Sequence, residues 1–304
     1  MPGFIRTLGG DVNPKEIARV VPHEHGFLPR EGQDPTEFAG QEPAIERRLV
    51  REFRALAAQG VNLFVETSPT GKRPVGMWKR AGEKAGMHVV ATTGSYTEEF
   101  VPAIMQHSGS RGAALLCHEL TVGIASTGLR AGVIKAASHD YEPKPAEVKA
   151  FRAVAEAHKQ TGAPISTHCP LGPLAQVRIL TEAGVAAERI ALGHIEVTAW
   201  EDVRKILKTG VNFLFTNFGG ENIVPENMVV AQIVDLVRRG HLSQIQLSID
   251  MCLYWQKGRL IHRWPGGYLH LFTRLVPKLL AAGLKVRQVE RMLHDNPVRH
   301  LTWN

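Results

Sequence analysis

His23 and His25 stand one residue apart in Val20-Val21-Pro22-His23-Glu24-His25, at the end of a short apolar run. On a β-strand, residues i and i+2 face the same way, and neutral imidazole is the commonest protein ligand for zinc-like metals. The pair can therefore grip one ion from one side, although an isolated His-x-His also arises by chance. Four later residues add weight: Lys135 in Gly132-Val133-Ile134-Lys135-Ala136, His168 closing Ala163-Pro164-Ile165-Ser166-Thr167-His168, His194 closing Arg189-Ile190-Ala191-Leu192-Gly193-His194, and Asp250 closing Gln244-Ile245-Gln246-Leu247-Ser248-Ile249-Asp250. Each alone has an innocent reading. A lone strand-end histidine is usually hydrogen-bonded, and Asp250 could cap a following turn. Lys135 is harder to dismiss, because a buried ammonium is costly unless paired or neutralised. As a set, four histidines, one aspartate and one lysine can hold two divalent ions. Burial lowers a lysine's pKa and leaves a nucleophilic amine. That amine can add carbon dioxide to become a carbamate, a bidentate anion able to bridge two metals that share one water. Ions about 3.5–4 Å apart would make that water a hydroxide near neutral pH.

The elements that must position these groups read as an alternation. Residues 4–19 suggest a lead-in hairpin with Gly9-Gly10-Asp11 as its turn, and the first strand ends at His25. Residues 26–42 read as a loop, and 43–59 as a helix with Ile45, Leu49, Phe53 and Leu56 on one face. Further strands are expected at 61–67, 88–93, 132–136, 163–168, 189–194, 211–216 and 244–250. Helices fall between them near 74–85, 97–106, 111–124, 145–160, 172–183, 199–209 and 226–239. A long loop (251–266), helices at 267–282 and 286–294 and a final turn complete the chain. The strands lack polar alternation, as expected when both faces are buried. Eight strands, most followed by a helix, indicate an α/β fold, a closed (β/α)8 TIM barrel. An open doubly wound sheet would alternate similarly, but chemistry-bearing residues at so many strand ends suit the C-terminal rim of a barrel.

Composition narrows the class. The chain has 304 residues, 44% apolar and 21% charged, which is ordinary globular usage. One barrel domain is expected over 1–304, with 1–19 as lead-in and 20–304 as barrel and C-terminal helices. Cys117, Cys169 and Cys252 are too scattered for a disulfide framework and read as free thiols in a reducing, cytoplasmic setting. The first residues lack the layout of a signal peptide, and no apolar run approaches a membrane span. The excess of 36 Lys and Arg over 29 acids, +7, is dispersed, which argues against nucleic-acid binding and allows a mild preference for anionic small molecules.

Together, Pro22-His23-Glu24-His25, Ala131-Gly132-Val133-Ile134-Lys135, Thr167-His168, Gly193-His194 and Asp250 resemble the phosphotriesterase family of the amidohydrolase superfamily. Thr92-Thr93-Gly94-Ser95-Tyr96, Gly162-Ala163-Pro164 and Asn296-Pro297 extend the likeness, which runs from about residue 5 to 303. The resemblance implies that His23, His25 and Asp250 bind a more buried metal and His168 and His194 a more exposed one. Lys135, as carbamate, and a hydroxide would bridge them. The exposed metal would polarise a phosphoryl or carbonyl oxygen, the hydroxide would attack, and Asp250 would take up the proton. Zinc suits such mixed ligation, as do manganese, cobalt and iron. Members include organophosphate triesterases and many lactonases, and are commonly homodimers, which is expected here. The chain also departs from the pattern. Ile249 stands where members often carry a histidine, which bears on proton relay from Asp250. Ile195-Glu196-Val197-Thr198 and Asn217-Phe218-Gly219-Gly220 lack the Asp and Arg of many lactonase-like members. Specificity for acyl-homoserine lactones or paraoxon is therefore not implied.

Loops at the rim of a barrel define substrate shape. In the loop after the eighth strand, Trp255 and Trp264 could wall an apolar or cyclic substrate, and Arg259 and Arg263 could meet an anionic group. The same aromatics could instead pack the loop onto the barrel or a second subunit. By the resemblance, Tyr96 could touch substrate or the bridging water. Cys169 should point to the opposite face from His168 and serve packing, and His262 is expected in solvent. The expected function is a binuclear metal-dependent hydrolase of an ester bond, a lactone or carboxylic ester ahead of a phosphotriester, since natural triesters are scarce. A phosphotriesterase, a non-catalytic ligand-binding barrel with structural metals, and a mononuclear enzyme with unmodified Lys135 stay open.

Overall fold

Short runs of β-branched and large apolar residues form eight parallel strands in sequential order: β3 (Arg19–Glu24), β4 (Val61–Glu66), β5 (His88–Gly94), β6 (Val133–Ala137), β7 (Ile165–His168), β8 (Ile190–Gly193), β9 (Asn212–Phe215) and β10 (Ile245–Leu247). A small antiparallel pair, β1 (Ile5–Thr7) and β2 (Gly10–Val12), precedes them. This computed structural model describes residues 3–27, 40–71, 73–107, 109–217, 224–256 and 258–303. Most of the expected 26–42 loop, Phe218-Gly219-Gly220 and Lys257 lie outside the described residues.

Helices link most strands: α1 (Glu42–Ala57), α2 (Val75–Ala85), α3 (Ala103–His107), α4 (Gly109–Thr121), α5 (Pro145–Thr161), α6 (Pro173–Glu182), α7 (Trp200–Ile206) and α8 (Glu226–Arg238). Proline stands in the first turn of α1, α5 and α6, where its missing N–H is no loss. α1 buries Ile45, Leu49, Phe53 and Leu56, the face expected from their spacing.

The core has two parts. Val20, Leu63, Val65, Val90 and Val133 meet inside the barrel with Ile5, Ile17 and Leu301. Their strand neighbours Val21, Phe64, Val89, Ala91 and Ile134 pack outward into the larger core shared with the helices. This period of two decides which strand-end groups can enter the mouth. The eight strands form a nearly closed barrel. At the rim, β3 meets the segment after β10 through Asp250 N–H to His23 C=O (3.2 Å) and His25 N–H to Met251 C=O (2.8 Å). The buried Glu24 carboxylate clips that seam, accepting from Ser248 Oγ (2.6 Å), Ile249 N–H (2.9 Å) and Met251 N–H (2.7 Å).

Four expectations need correction. The first hairpin turns at Leu8-Gly9, because Thr7 pairs with Gly10 and Gly10 already belongs to β2. The expected loop at 251–266 contains an antiparallel hairpin, β11 (Leu253–Gln256) with β12 (Arg259–His262). The expected helix at 267–282 is broken into a 3-10 turn, a π-helical stretch Leu271–Leu275 and α9 (Val276–Ala281). Pro277 cannot donate into the ladder there. Beyond α10 (Val286–Leu293), the expected final turn is the helix α11 (Asp295–Leu301).

Candidate active site

The six predicted side chains meet at the C-terminal mouth of the barrel. Period two aims Lys135 inward, because Val133 is interior and Ile134 exterior. His168 is inward by the same rule, with Ile165 and Cys169 packed outward. His23 needs a different device. Val21 pairs with Phe64 but Glu24 pairs with Glu66, so β3 holds one extra residue in that interval. This bulge at Pro22-His23 turns His23 into the mouth beside the interior Val20. His194 and Asp250 follow the last residues of their strands with φ of 63° and 51°, left-handed values uncommon away from glycine. Before His194, only glycine fits: a Cβ on Gly193 would sit 2.3 Å from Thr167 O and 3.2 Å from the His23 ring.

Ligand atoms of His23, His25 and Asp250 all lie within 4.8 Å of one another. Asp250 Oδ1 is 3.2 Å from His25 Nε2 and 3.6 Å from His23 Nε2. Lys135 Nζ is 3.2 Å from His23 Nε2. The His194 ring lies 5.1 Å from that of His23 and 4.3 Å from that of His168, so the second histidine pair adjoins the first cluster. Two buried ring nitrogens, His23 Nδ1 and His168 Nε2, have no hydrogen-bond partner among the described residues. Buried polar atoms are normally satisfied, so the open His168 nitrogen is a place where a cation fits, whereas on His23 it is Nε2 that faces Asp250 and Lys135. The donor set of imidazoles, carboxylate and a buried amine suits divalent transition metals.

The electrostatics suit ligation too. Burial drives the His23 imidazole well below its ordinary range, helped by Lys135, and drives His194 down to about 4, so both are neutral at pH 7. Burial likewise holds His168 well below the ordinary value. Burial lowers Lys135 to about 8 against the opposing pull of Asp250 and Glu66. For Asp250, burial acts upward, but the His25 hydrogen bond and the charges of His194, His25 and Arg263 outweigh it and keep the carboxyl well below its usual range. His25 goes the other way: burial lowers it, and hydrogen bonds to Asp250 and Glu66 raise it further.

Several contributors were not singled out from sequence. Ser68 Oγ donates to Glu66 Oε1 (2.6 Å) and lies 2.8 Å from His25 Nδ1. Since the hydroxyl proton goes to Glu66, His25 Nδ1–H is the donor to Ser68, leaving Nε2 to face the cluster. His194 Nδ1 is met by Thr216 Oγ1 (2.7 Å) and Asn217 Nδ2 (2.9 Å), and Glu196 accepts from the backbone N–H of both residues. His139, exposed just beyond β6, stacks on His168 at 4.7 Å and 30°. Its position past a strand end was the available signal.

Among the expected substrate-binding residues, Tyr96 lies 5.0 Å ring to ring from His168, with Lys135 Nζ 6.0 Å from its ring. Arg263 Nη1 donates to Asp250 Oδ2 at 2.6 Å, and its guanidinium lies 4.7 Å from the Trp264 ring. Trp255 and Trp264 are partly buried and pack on the main core. Arg259 is exposed at the far end of the hairpin, away from Arg263. Ile249 is fully buried in the outer core and offers nothing to the mouth. Cys169 is buried there too, and burial raises its thiol pKa far above the ordinary value. His262, expected in solvent, instead sits half-buried 3.1 Å from Glu52 and edge-on to Tyr268.

This geometry can be set against known proteins. A model of the phosphotriesterase family matches residues 3–301. The chain belongs to the phosphotriesterase family. Members of this family are hydrolases with a binuclear metal centre, and the present chain carries that hydrolase fold. It is 30% identical over 317 residues to the phosphotriesterase homology protein of Mycobacterium tuberculosis, covering 97% of this chain and 96% of that one. The N-acetyltaurine hydrolase of Rattus norvegicus is 24% identical over 348 residues, covering 100% and 99%. Among solved structures, the phosphotriesterase from Mycobacterium tuberculosis superposes with a TM-score of 0.87 at 27% identity, covering 99% of each chain. A double mutant of the organophosphorus hydrolase from Deinococcus radiodurans gives 0.85 at 27% identity, covering 98% and 96%. None of the described helices is long and apolar enough to cross a membrane.

Proposed function

We propose that this phosphotriesterase-family protein hydrolyses a lactone or carboxylic ester. His23, His25 and Asp250 would hold one divalent ion and His168 and His194 a second, with zinc the first choice and manganese, cobalt or iron next. When bound, such ions supply Lewis-acid polarisation of the scissile group and ionise water near neutral pH. The observation that supports this reading is the convergence of six side chains on one mouth, with His168 Nε2 buried and unpartnered among the described residues.

The chain's own residues do the rest. With its pKa lowered to about 8, roughly a tenth of Lys135 is free amine at pH 7. That amine can attack the carbon of carbon dioxide and lose a proton, giving the carbamate that would join the two halves of the site. Asp250 stays ionised, its Oδ2 held by Arg263 and its Oδ1 turned to the cluster, 3.2 Å from His25 Nε2. Tyr96 borders the opening beside His168 and is placed to touch substrate. A homodimer in a reducing, cytoplasmic setting belongs to the same proposal, and sedimentation of the purified protein checks its assembly.

Turnover by metal-loaded protein of lactone, carboxylic ester, phosphotriester and N-acyl amide panels decides the bond. Clear triesterase activity without turnover of any lactone or ester would reverse the order. The N-acetyltaurine hydrolases among the relatives favour an amide as the second reading, and the amide panel addresses it.

A further inference from the structure

Arg263 is only half used. Nη1 donates to Asp250 Oδ2, the guanidinium lies against the Trp264 ring, and the backbone N–H bonds Cys252 O (2.9 Å) where the hairpin joins the barrel. Its side chain is 38% exposed, and among the described residues Nε and Nη2 have no partner. These two nitrogens form the side-on edge of the guanidinium. Arg259 is no substitute, since four residues of β12 carry it about 13 Å away. Lys135, the other cation touching the cluster, is 1% exposed and faces His23.

We propose that Arg263 is an oxyanion clamp, which makes the preferred substrate an ester or lactone carrying its own carboxylate; this rests on the hydrolase reading above. The Asp250 bond offsets the cost of bringing a guanidinium to the rim, and together with the Trp264 face it fixes the plane of the fork. Nε and Nη2 then offer two parallel N–H groups at the spacing a carboxylate accepts bidentately. A neutral substrate leaves that edge to water. An anionic one gains two charge-assisted hydrogen bonds without ordering a long side chain. A sulfonate presents the same oxygen edge, so the test includes both anions.

The experiment compares three 4-nitrophenyl esters: the glutarate monoester with a free distal carboxylate, its neutral methyl ester, and the analogue with a distal sulfonate. The expected result is a kcat/KM ratio of about 10 to 100 in favour of an anionic ester over the neutral one. Arg263→Met should collapse that ratio to about one, mainly through KM, and Arg263→Lys should give an intermediate value. A wild-type ratio of one, or a ratio unchanged in Arg263→Met, overturns the clamp. Elemental analysis is run on each variant, and failure of both to hold metal also overturns it, because Arg263 would then serve Asp250 alone. If the wild type with its metals cleaves none of the three esters, the carboxylic-ester reading fails and the clamp is judged separately, by calorimetric titration with glutarate. Binding to wild type that is lost in Arg263→Met supports it, and equal binding, or none, overturns it.

Discussion

The buried side of the proposed metal site should owe much of its affinity to two residues that touch no ligand atom on the open side. Ser68 Oγ sits between His25 Nδ1 (2.8 Å) and Glu66 Oε1 (2.6 Å), and Glu66 is fully buried. The chain Glu66–Ser68–His25 fixes the tautomer of His25 and makes its Nε2 a better donor; outer partners of this kind are worth about 10- to 100-fold in metal affinity. The structure orders the two substitutions. Removing the Ser68 hydroxyl still leaves Glu66 Oε1 3.5 Å from His25 Nδ1, so Ser68→Ala should cost about 10-fold. Glu66→Gln removes the charge itself and should cost up to about 100-fold, near 2.7 kcal/mol. Both cut one chain, so the double variant should be no worse than Glu66→Gln alone. Competition with a chromogenic chelator at fixed pH reads the affinity of the tighter ion, and circular dichroism confirms the fold. A double variant additive at about 1,000-fold, or a Ser68→Ala variant that binds like wild type, would refute the relay.

Three further outcomes follow from the same geometry. Lys135→Ala should lower turnover by more than the about 100-fold typical of an outer partner, with partial rescue by short carboxylic acids; rescue by chloride equal to that by acetate would count against a carbamate. His300, buried and bonded to Ile165 O, is pushed by burial down to about 3. Its folded pKa lies below the unfolded value near 6.5, so its contribution is intact above pH 6.5 and is lost as pH falls, about 2 kcal/mol between pH 7 and 5. His300→Gln should remove that part of the acid slope in chemical denaturation, and an unchanged slope would contradict it. Gly193→Ala must displace the Thr167 carbonyl and crowds the His23 ring, at about 1–3 kcal/mol; an unaltered melting temperature with full metal content would show the close approach to be wrong.

What the sequence could reveal depended on which physical rule placed each residue. Lys135 and His168 were legible because period two in an apolar strand, Val133-Ile134-Lys135 and Ile165-Ser166-Thr167-His168, states which face a residue takes. His23 was named for the same reason, yet it arrives through the bulge at Pro22-His23, which spacing alone does not show. Arg259 and Arg263 looked equivalent along the chain. Only the β11–β12 hairpin separates them, putting one at its exposed end and the other on Asp250. Glu66, Ser68, Thr216 and Asn217 carry no motif, since their role lies in contacts across neighbouring strands. His139 carries a weaker signal, since it lies two residues past the end of β6 in an exposed position.

The left-handed backbone at His194 and Asp250 joins these observations into one argument. Non-glycine residues at φ of 63° and 51° cost about 1–2 kcal/mol each, and both stand where a strand turns into the rim. The surrounding structure holds each of them in place: Thr216 and Asn217 take the His194 ring, while the Glu24 clip and the His23 C=O fix the backbone on both sides of Asp250. An extended backbone at either position would continue the strand and carry the next side chain to the opposite face. The unfavourable turn instead directs an imidazole and a carboxylate toward the mouth that Lys135 and His168 already enter. Strain of this kind persists only where neighbours over-determine it. The same backbone occurs at exposed Ala125 (φ 49°), so the conformation alone marks no site, but at two of the six converging groups it supplies the preorganisation that the proposed cation site needs.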